Sequence, residues 1–230
     1  LRLSRGLGDV YKRQKIEGTQ ELGNIMSIGR QIRTSNNSED YLQNLVNLND
    51  KLIRSYGKKY IDETQWARNE KCFFIDKMPN NFPHIGLIKM ILPNAKIIDA
   101  RRNPLDGCFS CYKQYFAKGQ HFTYDLDDIA RYYKDYLKIM DFWNSYFPNS
   151  IHTVMYENVI ENPEDEVRSM INFLNLDFQE SCLSFYKSSR PVKTASSEQV
   201  RQPIYKSALN YWKNFDSDLE ELKNHFPEYV

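Results

Sequence analysis

The sequence predicts an α/β fold in which a mostly parallel sheet is flanked by helices in a three-layer arrangement. Short apolar runs typical of buried strands occur in CFFID (72–76), AKIIDA (95–100) and SIHTVMYENV (150–159). Stretches with helical periodicity separate these runs, and polar or proline-containing turns bound them. Strands that alternate with helices are typical of a domain built around a largely parallel sheet.

Start and stop signals place the helices. Gly57 is expected to end the first helix and Pro93 the second, while Pro104 opens a third and Asn162 caps the helix that follows the last strand. Residues 127–147 carry one apolar stripe and form an amphipathic helix. The predicted helices are 41–60, 84–93, 104–116, 127–147, 162–176, 206–214 and 217–226.

Composition excludes several classes of protein. The 230 residues are 41% hydrophobic and 27% charged with a net charge of +1, the balance of one ordinary globular domain. A charge this small gives no general attraction to nucleic acid or to an anionic membrane, so any anion site must be local. The apolar stretches are broken by proline or charge well short of the roughly 18 residues that a membrane span needs.

The first residues differ in character from the rest. LRLSRGLGDVYKRQ (1–14) carries four basic residues against one acid and has neither apolar periodicity nor the apolar segment of a signal peptide. It is similar to the translated adaptor-like ends of fragments assembled from environmental sequencing; the alternative is a native basic arm. We therefore expect residues 1–14 to be a non-native leader and residues 15–230 to be a domain that starts abruptly, with a native N-terminal piece missing.

The four cysteines give no sign of an oxidising compartment, and we expect a cytoplasmic protein. Cys108 and Cys111 form a C-x-x-C pair, a pattern that occurs in redox and metal sites. No second pair stands at metal-ligand spacing, and on a helix these two thiols share one face. Two core-facing thiols are the interpretation that this context favours.

A set of polar residues at strand ends points to an anion site. Arg102 directly follows a predicted strand, Lys77 follows another, and Tyr156 closes the third. Ligands of parallel sheets bind beyond the carboxyl ends of the strands, where these side chains fall. Arginine binds phosphate with two hydrogen bonds, and a helix N-terminus adds free N–H groups and a positive dipole, with Ser110 eight residues after Arg102. The alternatives are a surface ion pair of the arginine with Asp99 or Asp106, and a solvated lysine.

Three longer stretches carry a resemblance to a known family. These are DKMPNNFPHIGLIKMILPNAKIIDARRNPLDGCFSCYKQYF, MYENVIENPEDEVRSMINFL and TASSEQVRQPIYKSALNYWK. They resemble the sulfotransferases that use 3′-phosphoadenosine-5′-phosphosulfate (PAPS), in particular the bacterial group often fused to tetratricopeptide repeats and related to tyrosylprotein sulfotransferases. The resemblance covers about residues 15 to 215. It implies a P-loop NTPase-like sulfotransferase fold and tetratricopeptide repeats before the domain in the full-length parent.

The resemblance also implies which residues hold the nucleotide. The arginine at the strand exit and the serine eight positions later bind the 3′-phosphate in this family, which assigns Arg102 and Ser110 here. The tyrosine of the Y-E pair, Tyr156, contributes to the cofactor pocket. Arg201, in the segment that folds over the nucleotide, is available for a phosphate.

Three further residues receive catalytic roles from the resemblance. Lys77, the lysine of the D-K-x-P turn, stabilises charge at the transferring sulfuryl group, and Ser196 lies beside that group. Glu21 resembles the general base of the tyrosylprotein branch. A carboxylate that takes the hydroxyl proton and a cation that meets the leaving oxygen suit an in-line displacement which releases adenosine-3′,5′-bisphosphate. No metal is required, and none of the four histidines stands at ligand spacing from a nearby acid.

The chain departs from the family pattern at three places. The first strand and the phosphate loop that follows it, expected just before residue 15, are absent from the sequence, so we expect this fragment to be inactive without them. Tyr211 stands where the tyrosylprotein branch has a cofactor-binding lysine, with Lys213 as a substitute, and Gln114 replaces a basic residue of that branch.

Two other functions compete with sulfate transfer. A phosphate-binding α/β kinase or nucleotide hydrolase needs the pattern G-x-x-x-x-G-K-[ST], which the chain lacks. An RNA-binding module needs aromatic residues interleaved with a basic strand surface, whereas many of the 16 tyrosines fall on helix faces. The acceptor stays open among protein tyrosine, a sugar and a small alcohol, all of which offer hydroxyls.

Overall fold

The computed structural model describes residues 16–19, 21–34, 40–68, 71–116, 119–187 and 209–230. The chain divides into two compact units: a first unit of residues 1–97 with 179–188, and a second unit of residues 98–178 with 189–230. The leader proposed for residues 1–14 lies outside the described residues and stays a prediction.

Two short parallel strands form the sheet of the first unit. Strand β1 (Ile16–Gly18) pairs with β2 (Phe73–Ile75), and Ile16 lies opposite Phe73. Thr19 continues the pairing, since its hydroxyl donates to the carbonyl of Ile75 at 2.6 Å. The α-helices of this unit are α1 (Asn24–Thr34), α2 (Tyr41–Val46), α3 (Asp50–Glu63) and α4 (Ile85–Ile91), with 3-10 turns at Gln65–Ala67, Pro79–His84 and Glu180–Lys187.

One face of α1 forms the centre of this unit's core. Ile25, Ile28 and Ile32 recur at helical spacing and are almost fully buried. They belong to one apolar cluster with Tyr60 of α3 and Leu87 of α4. The helices are therefore held mainly by burial of this stripe.

The single helix predicted over 41–60 is wrong in two respects. It is interrupted at residues 47–49, because the side chain of Asn49 accepts the amide of Leu52 and starts α3 as a new helix. Gly57 does not end α3 but lies inside it, facing the backbone of Ile91, where an added Cβ would come within 2.4 Å of the carbonyl oxygen. Glycine is needed at position 57 for close packing of two helices rather than for termination.

A buried polar pair joins α3 to the end of β2. The Tyr60 hydroxyl donates to Asp76 Oδ2 at 2.8 Å, while Asp76 Oδ1 is shielded from solvent. Burial raises the pKa of Asp76 to about 6, although the Tyr60 hydroxyl, the Leu22 amide and Lys77 all act to lower it. The sheet edge thus carries a carboxyl that is reluctant to ionise.

The second unit contains the other strand pair and the longest helix. Strand β3 (Ile97–Arg101) begins at the boundary between the units and is hydrogen-bonded to β4 (Ile151–Met155). The α-helices are α5 (Pro104–Tyr112), α6 (Leu126–Tyr146), α7 (Tyr156–Glu161), α8 (Pro163–Phe173) and α9 (Glu220–His225), with 3-10 turns at His121–Tyr124, Tyr211–Leu219 and Pro227–Tyr229.

The core of the second unit joins α5 and α6 to the end of the chain. Leu105 and Phe109 of α5 share a buried cluster with Ile129 of α6, Trp212 and Phe226. Cys108 is buried in the same cluster and Cys111 packs against it, both as free thiols. The prediction of core-facing thiols on a helix is therefore confirmed.

The predicted α/β class is confirmed. The three predicted strands occur as β2, β3 and β4, each followed by helix, and β1 with β2 supplies a parallel pair. The third strand is shorter than predicted, because Tyr156 opens α7 instead of closing the strand. Among the described residues, no helix combines the length and apolar composition needed to cross a bilayer.

Two helical glycines give a matched test of the packing. Gly57→Ala should lower the free energy of unfolding by about 1–3 kcal/mol, because the methyl group meets a backbone carbonyl that cannot swing away. Gly107→Ala in α5 should raise it by about 0.5–1 kcal/mol, since an added Cβ there meets nothing within 4 Å and alanine favours helix. Urea unfolding of both variants measures the difference, and equal effects would contradict the close approach at Gly57.

The raised pKa of Asp76 predicts an unusual pH dependence of stability. Between about pH 4 and 6 the folded state binds this proton more tightly than the unfolded chain, so the contribution of Asp76 to stability falls as pH rises through that window. The loss should reach about 2–3 kcal/mol above pH 6. Asp76→Asn cannot titrate and should remove it.

The measurement is urea unfolding of the parent and of Asp76→Asn at several pH values from 4 to 7.5. Relative to the parent, the variant should gain stability as pH rises. Asp62→Asn, which alters an exposed carboxylate paired with Lys58, serves as the control. A parent-to-variant difference that does not change with pH would show that Asp76 has an ordinary pKa.

Candidate functional site

Arg102 lies directly beyond the end of β3, and its backbone is held from two other elements. The Tyr133 hydroxyl of α6 donates to the carbonyl of Arg102 at 2.9 Å. The amide of the next residue, Asn103, donates to Glu157 Oε1 of α7 at 2.9 Å. The chain therefore leaves the strand along a fixed path, which fixes the point from which the arginine side chain starts.

The guanidinium of Arg102 is oriented by an aromatic ring and a carboxylate. Its Cζ lies 5.3 Å from the ring centroid of Tyr156, the buried first residue of α7. Its Nη2 lies 3.5 Å from Oδ2 of Asp106, one turn into α5. Arg102 and Tyr156, both predicted as cofactor-binding residues, are therefore in contact within the second unit.

Asp106 is buried, with 3% of its surface exposed. Its Oδ2 accepts the backbone amide of Asn210 at 2.8 Å, and its Oδ1 accepts the amide of Trp212 at 3.1 Å. A buried carboxylate is stable only when its oxygens are paired, and here two amides and an arginine pair them. The ion pair foreseen as an alternative does form, but it is a buried structural pair rather than a surface one.

The N-terminus of α5 is capped by the side chain of the residue that precedes it. Asn103 Oδ1 accepts the amides of Leu105 at 2.9 Å and Asp106 at 3.4 Å, and Pro104 has no N–H. The expectation that free N–H groups of this helix bind an anion is therefore wrong. Any anion binding here depends on side chains and on the dipole of the helix.

Ser110 lies in α5, half-buried, and four residues after Asp106. Residues at this spacing lie on the same face of a helix, so Ser110 follows Asp106 along the face that begins beside Arg102. A guanidinium and a hydroxyl are both hydrogen-bond donors that suit a phosphate oxygen.

In the first unit the structure brings together Glu21 and Lys77. Glu21 follows β1 and Lys77 follows β2, and because these strands are parallel their carboxyl ends meet at one edge of the sheet. The Lys77 ammonium forms a salt bridge with Glu21 Oε1. The side chains of Lys77 and Glu21 are 19% and 41% exposed, so solutes can reach the carboxylate.

Two predicted site residues, Ser196 and Arg201, lie outside the described residues, and their roles stay predictions. Near the end of the chain, Lys213 Nζ lies 5.6 Å from the ring centroid of Trp212. Lys113 Nζ lies closer to Tyr211, at 3.9 Å from its ring centroid, and 4.7 Å from that of Phe109. Lys113 of the segment after α5, rather than Lys213, is the cation that contacts position 211.

The supporting residues around Arg102 were missed from the sequence. Asp106 was noted there only as a possible surface ion-pair partner, but its backbone partners lie more than 100 positions later in the chain. Tyr133 and Glu157 carried no signal of a role at Arg102. The proline that opens α5 places Asp106 in the first turn of the helix, and this position could have pointed to its role. A carboxylate that is buried there needs hydrogen-bond donors from elsewhere in the chain.

An acidic cluster lies at the start of α6. Asp125, Asp127 and Asp128 have carboxylate oxygens within 4.8 Å of one another. Asp125 caps the helix by accepting the amides of Asp127 and Asp128, both at 2.9 Å. Asp127 pairs with Arg131 at 2.7 Å and with His225 at 2.8 Å. These contacts account for the cluster as a helix cap with ion pairs.

Comparison with known proteins gives two relatives by sequence. An uncharacterized protein of Aquifex aeolicus (strain VF5) is 35% identical over 185 residues, which cover 79% of this chain and 24% of that protein. The membrane-associated sulfotransferase kil1 of Dictyostelium discoideum is 26% identical over 90 residues, 39% of this chain and 18% of that protein. The chain thus spans about a quarter of the length of its Aquifex relative.

Two solved structures share the fold. The sulfotransferase domain from the Synechococcus PCC 7002 olefin synthase has a TM-score of 0.62 at 18% identity, covering 92% of this chain and 84% of that one. The sulfotransferase domain from the curacin biosynthetic pathway has a TM-score of 0.56 at 14% identity, covering 98% and 93%. Residues 12–180 match the model of the sulfotransferase family. The chain belongs to the sulfotransferase family.

Proposed function

We propose that this protein transfers a sulfuryl group from PAPS to an acceptor hydroxyl by in-line displacement. The observation that carries the proposal is the arrangement at Arg102, whose backbone is fixed by Tyr133 and whose guanidinium is oriented by Tyr156 and Asp106. Membership of the sulfotransferase family supports it.

The residues present fit the 3′-phosphate of such a nucleotide. Arg102 offers the planar donor set that suits phosphate, and Ser110 offers a hydroxyl on the helix that begins two residues later. Since the first amides of α5 are capped, these side chains would carry the binding. We assign the 3′-phosphate to Arg102 and Ser110, and a supporting place in the cofactor pocket to Tyr156, with Arg201 as a further phosphate ligand.

Glu21 and Lys77 are the groups assigned to the chemical step. The bound donor supplies the activated sulfuryl group, and its bridging S–O bond breaks as the acceptor oxygen bonds to sulfur. Glu21 accepts the proton from the acceptor hydroxyl. Lys77 stabilises the negative charge on the departing phosphate oxygen, and Ser196 is assigned a place beside the sulfuryl group.

The salt bridge between Glu21 and Lys77 is compatible with these roles. Partly exposed ion pairs contribute only about 0–1 kcal/mol, so a bound hydroxyl and a bound anion can replace the pair at little cost. The pair keeps the carboxylate close to the cation until then. Protein tyrosine, a sugar and a small alcohol are all acceptors that this chemistry allows.

Removing the Arg102 guanidinium should abolish recognition of the 3′-phosphate. The parent should bind adenosine-3′,5′-bisphosphate more tightly than adenosine 5′-monophosphate, and Arg102→Ala should weaken bisphosphate binding about 10- to 100-fold while leaving the monophosphate unchanged. Isothermal titration calorimetry with the two nucleotides measures both affinities.

The matched control is Arg131→Ala, which removes an exposed arginine paired with Asp127 in the same unit. It should bind both nucleotides as the parent does. Equal binding of bisphosphate and monophosphate by the parent would overturn the assignment of Arg102 and Ser110.

Neutralising Glu21 should affect transfer but not nucleotide binding. Glu21→Gln keeps the size of the side chain but cannot accept the proton, so kcat should fall about 10²–10⁴-fold. The assay follows labelled sulfuryl transfer to tyrosine, sugar and alcohol acceptors, with the protein at its full encoded length.

Glu63→Gln is the control for this experiment, because Glu63 is an exposed carboxylate of α3 that contacts Asn24 and Lys59. It should retain the parent rate. A Glu21→Gln variant with unchanged kcat would remove Glu21 from the mechanism and leave the nucleotide site unaffected.

A further inference from the structure

Asp106 connects two parts of the second unit that are far apart in sequence. On one side its Oδ2 lies 3.5 Å from the Arg102 guanidinium. On the other side its two oxygens accept the amides of Asn210 and Trp212 at 2.8 and 3.1 Å. A single carboxylate therefore contacts both the strand exit and the segment that leads into the Tyr211–Leu219 turn.

The backbone of residues 210–212 depends on this carboxylate as a hydrogen-bond acceptor. Asn210 has a left-handed conformation with φ of 53°, which few residues other than glycine and asparagine adopt readily. Trp212 is buried in the core cluster with Leu105 and Phe109 of α5. Its amide would be left without an acceptor in that apolar setting if Asp106 were absent, and such a loss costs more than the hydrogen bond itself contributes.

The contact with Arg102 is of a different kind. At 3.5 Å it is longer than the 2.7–2.9 Å that is usual for a charge-assisted hydrogen bond. The carboxylate of Asp106 therefore orients the Arg102 guanidinium electrostatically, without a short hydrogen bond between the two groups. The guanidinium also lies over the ring face of Tyr156. Asp106 acts on an anion through Arg102, which makes it a positioning residue.

We propose that Asp106 couples anion binding at Arg102 to the anchoring of residues 210–212. An anion that binds Arg102 takes up part of the positive charge that Asp106 faces, and the carboxylate then relies more strongly on the two amides. Because coupling is reciprocal, firm anchoring of these amides keeps Arg102 in place and raises anion affinity. This inference rests on the proposed function, since it takes the 3′-phosphate as the anion.

The first test is ligand-dependent hydrogen exchange in the parent protein. Adenosine-3′,5′-bisphosphate should slow exchange of the Asn210 and Trp212 amides severalfold, whereas adenosine 5′-monophosphate should leave it unchanged. Peptide-resolved mass spectrometry follows residues 209–213. Bisphosphate binding without any response of these amides would overturn the coupling but would leave the proposed function standing.

The second test is Asp106→Asn, which keeps the shape but has one acceptor oxygen and no charge. It should weaken bisphosphate binding about tenfold, leave monophosphate binding unchanged and speed exchange at 210–212. Asp135→Asn, an exposed carboxylate paired with Lys138, is the control and should match the parent. Circular dichroism checks that each variant is folded.

The double variant Arg102→Ala, Asp106→Asn separates positioning from a purely structural role. If Asp106 acts through Arg102, the double variant should bind bisphosphate no more weakly than Arg102→Ala alone. Losses that add, or wild-type nucleotide selectivity in folded Asp106→Asn, would overturn the proposal. A parent that binds both nucleotides equally would overturn the proposed function, and this inference with it.

Discussion

The buried carboxylate of Asp106 is the interaction on which the second unit's candidate site depends. Its two oxygens accept the backbone amides of Asn210 and Trp212, and Oδ2 also faces the Arg102 guanidinium. Leaving a charge uncompensated in the interior is far more costly than the net worth of any one contact, so these three partners are fixed together or not at all. The backbone after β3, the first turn of α5 and residues 210–212 are consequently held together by this one carboxylate.

The first unit solves a similar problem with weaker partners. Asp76 also lies at a strand end and is largely buried, and its partners are the Tyr60 hydroxyl, the Leu22 amide and the charge of Lys77. Asp106 instead receives two backbone amides and an arginine. These partners do not offset desolvation, and the pKa of Asp76 rises to about 6 as a result. For Asp76, desolvation by burial outweighs the groups that favour the charged form.

Much of the fold and part of the candidate site could be predicted from local sequence. The strands β2, β3 and β4 follow from short apolar runs and α5 from Pro104, and Lys77 and Arg102 were placed at strand ends in the same way. Strand β1, which brings Glu21 next to Lys77, carried no such signal. What could not be predicted depends on contacts across the chain. Gly57 looked like a stop because its real reason, the carbonyl of Ile91, lies 34 positions away in another helix. The partners of Asp106 are further still, and no periodicity encodes them.

The two candidate groups differ in rigidity in a way that suits different tasks. Arg102 is held through its backbone by Tyr133 and through its side chain by Tyr156 and Asp106. A group that binds a phosphate present throughout the reaction gains from such preorganisation, because little ordering is left for the ligand to impose. Glu21 and Lys77 form a partly solvated salt bridge that opens at little cost. Groups that must exchange one partner for a reacting atom gain from that weakness. Binding favours the firm contacts around Arg102, and chemistry favours the easily opened pair at Glu21.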